Sequence, residues 1–398
     1  MRRQLVITEY RDKMLSCLYE EDRLAEVILQ PDGGNVRVGN IYIGKVMKIV
    51  SNIDAAFVAI APGVNGYYSL KENRQHLFAG KEAGSKLACG DEILVQISRE
   101  NLKTKVWTLS SAISLAGDFV VLDSGYDQIR ISSKIKNEHL REKLAEIAME
   151  SRSDTASYGL TVRTAASQMP AGCVKEEVRR LERIYRDLMA SYRTRTCYSR
   201  IYTADPDHIK MMRRYMYDRD FMLTTDIPEV FEEARACFAE AGMVSEGEQK
   251  VHFYQDSSWP LIKLKNIEAQ LEKALAAKVW MRSGAYLVIE QTEAMTVIDV
   301  NTGKNLNKKD IERHFLDVNL EAAEEICRQI RLRNLSGIII VDFINMKDPE
   351  NGQLLMQRLR ELAAQDPVQL TVVDRTRLQL VEMTRRKVRR TLSQQFIS

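Results

Sequence analysis

No hydrophobic run in these 398 residues approaches the roughly 20 apolar residues that a membrane-spanning helix requires, which argues against an integral helical membrane protein. The six cysteines, Cys17, Cys89, Cys173, Cys197, Cys237 and Cys327, are scattered without a Cys-x-x-Cys pair. That spacing speaks against a disulfide framework and against a zinc knuckle, so structural Zn²⁺ is not expected and a reducing, cytoplasmic compartment fits. The five histidines stand at no metal-ligand spacing. There is little excess charge of either sign: 58 Lys and Arg oppose 55 Asp and Glu, for a net charge of +3, too small by itself to indicate nucleic-acid binding. Met1-Arg2-Arg3-Gln4 leads into alternating residues rather than the apolar core of about 7–15 residues that marks a signal peptide, so none is expected. What is present, 45% hydrophobic and 28% charged residues, is ordinary for a soluble chain, and the length allows two or more domains with their own cores.

Two short apolar stretches organise the reading, residues 290–301 (EQTEAMTVIDVN) and 337–346 (GIIIVDFINM). Each reads as a buried strand carrying one aspartate, Asp299 or Asp342, and a carboxylate among Val and Ile is costly unless paired. Strand alternation turns Asp299 and Asn301 to the same side. Between the stretches, Ile311, Phe315, Val318, Ala322, Ile326 and Ile330 recur every three or four residues, which predicts a long helix over about 308–333. Strand, helix, strand reads as a crossover with parallel strands. Neighbouring strands lie about 5 Å apart, so the two carboxylates would share one Mg²⁺, an oxygen-seeking ion that activates water and neutralises phosphodiester charge. The bland alternative is that each aspartate caps a helix or meets an arginine.

The rest of the chain falls into blocks. Residues 4–10, 14–19 and 24–30 read as three strands, too few for a domain, which must dock on something later. Residues 39–50, 55–60, 63–71, 90–97 and 105–109 are short strands between glycine turns and predict a small barrel. Their order resembles an S1 RNA-binding domain, an OB-type barrel that stacks bases on aromatics. Phe57 and Tyr67 match its stacking positions, with Lys105 as basic companion and Arg99 as a second candidate. Phe57 also reads as barrel core. Strands at 120–122, 129–131 and 157–165 alternate with helices at 138–149 and 175–192, and the last of these strands carries Arg163-Thr164. A guanidinium beside a hydroxyl suits a phosphate monoester, although an ordinary surface arginine reads the same. Helices are expected at 228–241 and 267–280, with a strand at 250–254, completing the first sheet. After a helix at 350–364 and a strand at 369–373, residues 375–390 carry seven Lys or Arg against one Glu. This run is either a solvated helix face with a frayed tail or a surface for phosphate backbones.

The residues 290–301, 319–346 and 39–70, in that order and separation, resemble the ribonuclease E/G family of bacterial endoribonucleases. The resemblance covers nearly the whole chain, more weakly over 165–260. It implies an α/β multidomain fold: an RNase H-like part in two pieces (1–36 and 216–278), an inserted S1 barrel (37–118), a 5′-sensor region (119–215) and a DNase I-like catalytic domain (279–398). It implies Asp299 and Asp342 as Mg²⁺ ligands with Asn301 beside them, Arg163 and Thr164 on a 5′-monophosphate, and Phe57, Tyr67 and Lys105 on single-stranded RNA. The implied reaction is hydrolysis of A/U-rich RNA to 5′-phosphate and 3′-hydroxyl ends, in rRNA or tRNA processing or mRNA decay.

Three departures qualify that expectation. The Cys-x-x-Cys through which two such chains share zinc is missing, so a homodimer would have to form without the zinc link. Ser133 and Gln369 occupy sensor positions usually basic, although Lys134 follows, which weakens the expected preference for a monophosphate. The loop after Asn301 carries Lys304, Lys308 and Lys309 in place of arginines. With no long C-terminal extension here, the ribonuclease G-like form fits better. Two further classes compete with the nuclease reading: a non-catalytic S1-type RNA-binding protein on the same scaffold, and a DNA nuclease.

Overall fold

Three N-terminal strands, β1 (Arg3–Tyr10), β2 (Lys13–Glu20) and β3 (Arg23–Leu29), form an antiparallel meander in the computed structural model, which describes residues 1–30, 36–82, 84–100, 106–153, 157–256, 258–302 and 311–397. Both hairpin turns use two charged residues at positive φ, Arg11-Asp12 (52° and 60°) and Glu21-Asp22 (48° and 62°). The mirror-type turn matches strand twist, at a cost of about 1 kcal/mol for each residue that is not glycine. Burial on both faces of β2 offsets that cost. Leu5, Ile7 and Leu18 enter one core, while Val6, Leu15 and Cys17 enter another.

The chain divides into two compact units, Gly33–Asp205 and the combination of Met1–Asp32 with Pro206–Ser398. In the first of these, β4 (Ile41–Val50), β5 (Ala55–Ala61), β6 (Val64–Ser69), β7 (Glu92–Glu100) and β8 (Trp107–Ser110) close into a five-stranded barrel through the β4–β7 pairing. All five expected strands are there. Gly66 allows closure at one tight point, since a Cβ there would meet Leu109 at 2.5 Å. The same unit holds a second sheet of β9 (Ser114–Ala116), β10 (Val120–Asp123), β11 (Ile129–Ile131) and β12 (Gly159–Val162), with helices α1 (Glu138–Ser151) and α2 (Ala171–Ser191). Strand β13 (Arg200–Tyr202) adds to the barrel edge beside β4.

In the other unit, α3 (Asp207–Tyr215) precedes β14 (Phe221–Thr225), then α4 (Pro228–Glu240), α5 (Val244–Lys250) and β15 (Val251–Phe253). The N-terminal meander docks here: β1 pairs parallel with β14, setting Leu5 opposite Leu223, and the sheet runs β15-β14-β1-β2-β3. Helices α6 (Leu261–Leu264) and α7 (Ile267–Leu275) come next. The helix expected over 267–280 therefore stops at Leu275. Ala276 is already extended, and β16 (Lys278–Trp280) pairs instead with β17 (Tyr286–Gln291), with Val279 packed against the neighbouring core.

The last sheet adds β18 (Met295–Asn301), β19 (Gly337–Asp342), β20 (Leu370–Arg375) and β21 (Val381–Arg385), ordered β16-β17-β18-β19-β21-β20. Helices α8 (Ile311–Leu332) and α9 (Pro349–Ala364) pack with it, and α10 (Leu392–Ile397) follows β21. The α8 stripe reaches the core at Val318, Ala322, Ile326 and Ile330, whereas Ile311 is exposed and Phe315 half-buried. The basic run at 375–390 is not a helix. Its middle is β21, where Arg385, 5% exposed, forms a two-pronged ion pair with Asp366 (2.9 and 3.2 Å) and also donates to Asn334 and Leu335. Arg389 pairs with Glu26. Two of the seven cations are thus structural, while Arg377, Arg386 and Lys387 remain exposed.

Carboxylate–arginine pairs tie the meander to the rest of this unit. Glu20 accepts from Arg331 (2.6 Å) and Arg3 (3.2 Å), Glu26 from Arg214 (2.8 Å), and Glu325 from Arg23 (2.5 Å) and Arg328. Burial opposes ionisation of all three, but the guanidinium hydrogen bonds and charges outweigh it and hold each carboxyl below the usual glutamate range. These groups contribute stability that is complete above the unfolded glutamate pKa, about 4.3, and is lost as pH falls through the lower folded values. Arg331→Met is expected to cost about 1–3 kcal/mol at neutral pH and to flatten the acid limb of the melting temperature between pH 5 and pH 2. Parallel acid limbs for both proteins would remove the Glu20–Arg331 pair from this role.

Candidate active site and nucleic-acid interface

Strands β18 and β19 are parallel neighbours, and their register sets Asp299 directly opposite Asp342. Alternation turns Ile298 and Val300 of one strand, and Ile339 and Val341 of the other, into the core beneath α8 and α9. The opposite face is open: Val297 and Ile338 are exposed, Asp342 is exposed and Asp299 half-buried. This corrects the expectation of costly buried carboxylates. The strands are buried on one face only, so neither aspartate carries a large desolvation penalty, and their presence is no argument from cost against a catalytically inactive protein.

Asn301, two residues along the same face, donates its Nδ2 to Asp299 Oδ2 at 2.6 Å. That bond orients one carboxylate and leaves oxygen donors facing solvent. The donor set is therefore two carboxylates in register on an accessible face. It fits Mg²⁺, which binds through one or two carboxylates and keeps water or phosphate for its other positions. Among the described residues no group of three or more His, Cys, Asp or Glu could hold a metal, so the site is no closed protein cage. Lys304, Lys308 and Lys309 lie outside the described residues.

Asp342 ends its strand, and the loop that leaves it is held by α8. Buried Asn319 donates Nδ2 to the Ile344 carbonyl (2.8 Å), while its Oδ1 accepts from the Ile344 N–H (3.0 Å). Glu312 accepts from the Asp348 N–H (3.0 Å), and Asp348 in turn caps α9 through the Glu350 N–H (2.9 Å). Asn319 was legible only as part of a helical stretch. Its function as a clamp depends on where β19 ends.

The barrel brings a second constellation together. Phe57 and Tyr67 are cross-strand partners, both half-buried, with ring centroids 6.4 Å apart. The barrel core is made by Ala56, Val58, Ile60 and Tyr68 instead, so Phe57 faces outward. Register continues the row in both directions: Lys48 opposite Phe57, Thr108 opposite Tyr67, and Arg99 opposite Thr108. Two aromatics thus lie between two exposed cations. Sequence reading missed Lys48, whose place is set by a bulge between Val46 and Lys48. Lys105 lies outside the described residues.

In the second sheet of that unit, Arg163 and Thr164 come directly after β12 and both are exposed. Arg163 Nη1 donates to the Gly117 carbonyl (2.7 Å), and the Thr164 hydroxyl meets that of Ser132 (3.0 Å), a residue the sequence did not single out. Buried Glu177 accepts from three successive N–H groups, of Asp118, Phe119 and Val120, at 2.6–2.7 Å, which fixes the turn that holds Arg163. Burial and the Asp118 charge push the Glu177 carboxyl up despite those bonds. Ser133, Lys134 and Gln369 are exposed.

Comparison with known proteins gives these sites a context. The model of the Ribonuclease E/G family matches residues 114–388. Ribonuclease G of Haemophilus influenzae is 30% identical over 390 residues, 94% of this chain and 77% of that protein. Ribonuclease E of Escherichia coli is 30% identical over 98% of this chain but only 37% of its own length, and Ribonuclease G of the same organism is 27% identical over 93% and 76%. No described helix is long and apolar enough to cross a membrane.

The clamp on Ile344 is open to a direct test. Asn319→Ala removes both of its bonds and is expected to cost about 2–4 kcal/mol, with faster hydrogen exchange at the Ile344 amide. Unchanged exchange there would show that the loop after Asp342 is held by other contacts.

Proposed function

Because this chain belongs to the ribonuclease E/G family, we propose that it is a Mg²⁺-dependent endoribonuclease that hydrolyses single-stranded, A/U-rich RNA to 5′-phosphate and 3′-hydroxyl ends. The observation that carries this reading is the in-register opposition of Asp299 and Asp342 on an open sheet face.

Asp299 and Asp342 would hold the Mg²⁺, which when bound supplies activation of water and neutralisation of phosphodiester charge. Asn301 fixes the rotamer of Asp299 and, through its remaining amide capacity, orients the phosphodiester. Asn319 keeps the end of β19 from shifting, so the two carboxylates stay at the same height. Phe57 and Tyr67 stack two successive bases of the single strand, with Lys48 and Arg99 on its phosphates. Arg163, held by Gly117, and the Thr164–Ser132 hydroxyl pair receive a 5′-terminal phosphate, with a guanidinium suited to bidentate binding.

The fold assignments rest on the same reading. The order β15-β14-β1-β2-β3, antiparallel on one side of β1 and parallel on the other, supports an RNase H-like sheet assembled from two chain segments. The closed barrel supports the S1 assignment, and the sheet of β16 to β21 the DNase I-like one. The proposed setting is cytoplasmic RNA processing or decay.

Asp299→Asn and Asp342→Asn are expected to abolish cleavage of a 5′-monophosphorylated A/U-rich RNA in Mg²⁺ while leaving its affinity in EDTA within about twofold. Binding without metal-dependent cleavage by the unaltered protein would favour the non-catalytic RNA-binding reading, and cleavage of DNA of the same sequence the DNA-nuclease one. Tyr67→Ala is expected to weaken binding of single-stranded RNA by about 5- to 100-fold, the worth of one stacked base. An affinity unchanged by that substitution would take the aromatic row out of the interface. Arg163→Met is expected to reduce the rate on 5′-monophosphate RNA and leave that on 5′-triphosphate RNA unchanged. Equal losses on both would mean that Arg163 does not read the 5′ end.

A further inference from the structure

The loop that leaves Asp342 runs into the rim of an open groove of about 1070 Å³, bounded by the start of α9 and by residues Asp374, Arg375 and Gln379. Asn345, on that rim, is three residues after Asp342, which limits the separation of their Cα atoms to about 10 Å. The volume is slightly above the range of about 300–1,000 Å³ for small-ligand sites.

The lining has a particular chemistry. Gly352, Gln353, Met356, Gln357 and Arg360 present one face of α9 to the groove. Met356 is buried and Met346 half-buried, so the floor is two soft thioether side chains of the kind that pack against flat rings. Above them stand three carboxamides, Asn345, Gln353 and Gln357, all exposed. A carboxamide offers an acceptor and two donors, the complement of a nucleobase edge, although one donor of Gln357 is given to Glu361. Gly352 creates a notch in the helix. A Cβ there would come within 2.7 Å of Arg375 Nη1, so the absence of a side chain lets this guanidinium lie over the helix.

The charges of the groove are not equally engaged. Asp348 accepts from the Glu350 N–H, Asp374 from the Arg375 N–H, and Glu361 from Gln357 and Arg358. Among the described residues, Lys347, Arg360 and Arg375 make no side-chain ion pair. The lining's three carboxylates and three cations leave it without net charge, but Lys347, Arg360 and Arg375 have no ion-pair partner among the described residues and can meet a phosphate, while amides over a methionine floor favour a ligand with a flat, hydrogen-bonding ring.

We propose that this groove is a nucleotide subsite of the RNA strand, within about two nucleotides of the phosphate at Asp299 and Asp342. Arg360 and Arg375 take the phosphate, Gln353 and Gln357 read the base edge, and the methionines support its ring. The inference rests on the endoribonuclease reading for its ligand, and on the lining alone for the site.

The test uses a single-site RNA series in which each member carries one abasic nucleotide near the cut. Binding is measured by fluorescence anisotropy in EDTA, and cleavage in Mg²⁺. For the unaltered protein, one abasic position within two nucleotides of the cut is expected to cost about tenfold in affinity and in kcat/KM. In Gln353→Ala/Gln357→Ala, both exposed helix positions where alanine keeps the helix, that penalty is expected to fall to about twofold, with the other positions unchanged. Arg360→Ala is expected to weaken all members alike and to reduce the slope of log affinity against log salt by about 0.7. An abasic profile and a salt slope identical to those of the unaltered protein would overturn the subsite. A protein that shows the expected binding pattern but cuts nothing would retain the subsite and refute the nuclease reading. One that cuts the whole abasic series equally well would do the reverse.

Discussion

The candidate site depends on one pairing: β18 beside β19, parallel and in register from Met295–Ile338 to Asp299–Asp342. A slip of one residue in either strand would turn its aspartate into the core and its isoleucine out to water, because side chains alternate strictly along a strand. The register is therefore enforced by burial of Ile298, Val300, Ile339 and Val341 on the opposite face. The geometry of the candidate site and the core packing are two consequences of the same alternation. Helix α8 makes the parallel arrangement possible by carrying the chain back across the sheet, and its apolar stripe covers the face that the aspartates leave.

Polar groups then fix what apolar packing leaves loose. Packing alone would hold the end of β19 only approximately, and Asn319, satisfied on both its amide atoms by one residue of the next loop, removes that freedom. Glu177 acts similarly in the other unit, gathering three N–H groups into the turn that supports Arg163. In both cases a buried polar side chain whose hydrogen bonds are made within the fold positions an exposed candidate site residue. The arginines on Glu20, Glu26 and Glu325 do the corresponding work at larger scale, tying the N-terminal meander to chain segments about 200 to 300 residues away.

The proposed groove beside α9 extends this division of labour. Its carboxylates accept hydrogen bonds within the protein, at a helix cap, a turn and a helical amide, while Lys347 and Arg360 are exposed and Arg375 lies over the helix at Gly352. The outward row of the barrel has the same character: Lys48, Phe57, Tyr67 and Arg99 stand on the face that the core does not use. Membership of the ribonuclease E/G family explains why single-stranded RNA is the ligand to try first at both.

Much of this was written in local pattern. Period-two alternation gave the strands of the meander and of the barrel, period 3.6 gave α8 and α9, and two aspartates at the ends of apolar runs marked the site, because each of these signals depends only on near neighbours in the chain. The sequence by itself also carried the family resemblance. Other features depend on which distant segments meet. Whether Asp299 is buried turns on what covers the second face of its sheet, and among the described residues that face stays open at Val297, Ile338 and Asp342. Whether Arg385 belongs to a surface or a core turns on Asp366, reached through a hairpin. The helix expected at 267–280 gives way to a strand because β17 offers a partner edge at Lys278. Lys48 joins the aromatics through a bulge, and Asn319 becomes a clamp only where β19 stops. Local propensity determined the elements and most of the candidate residues. Tertiary structure alone decided their neighbours, because burial, register and hydrogen-bond partners are properties of pairs that the linear order does not state.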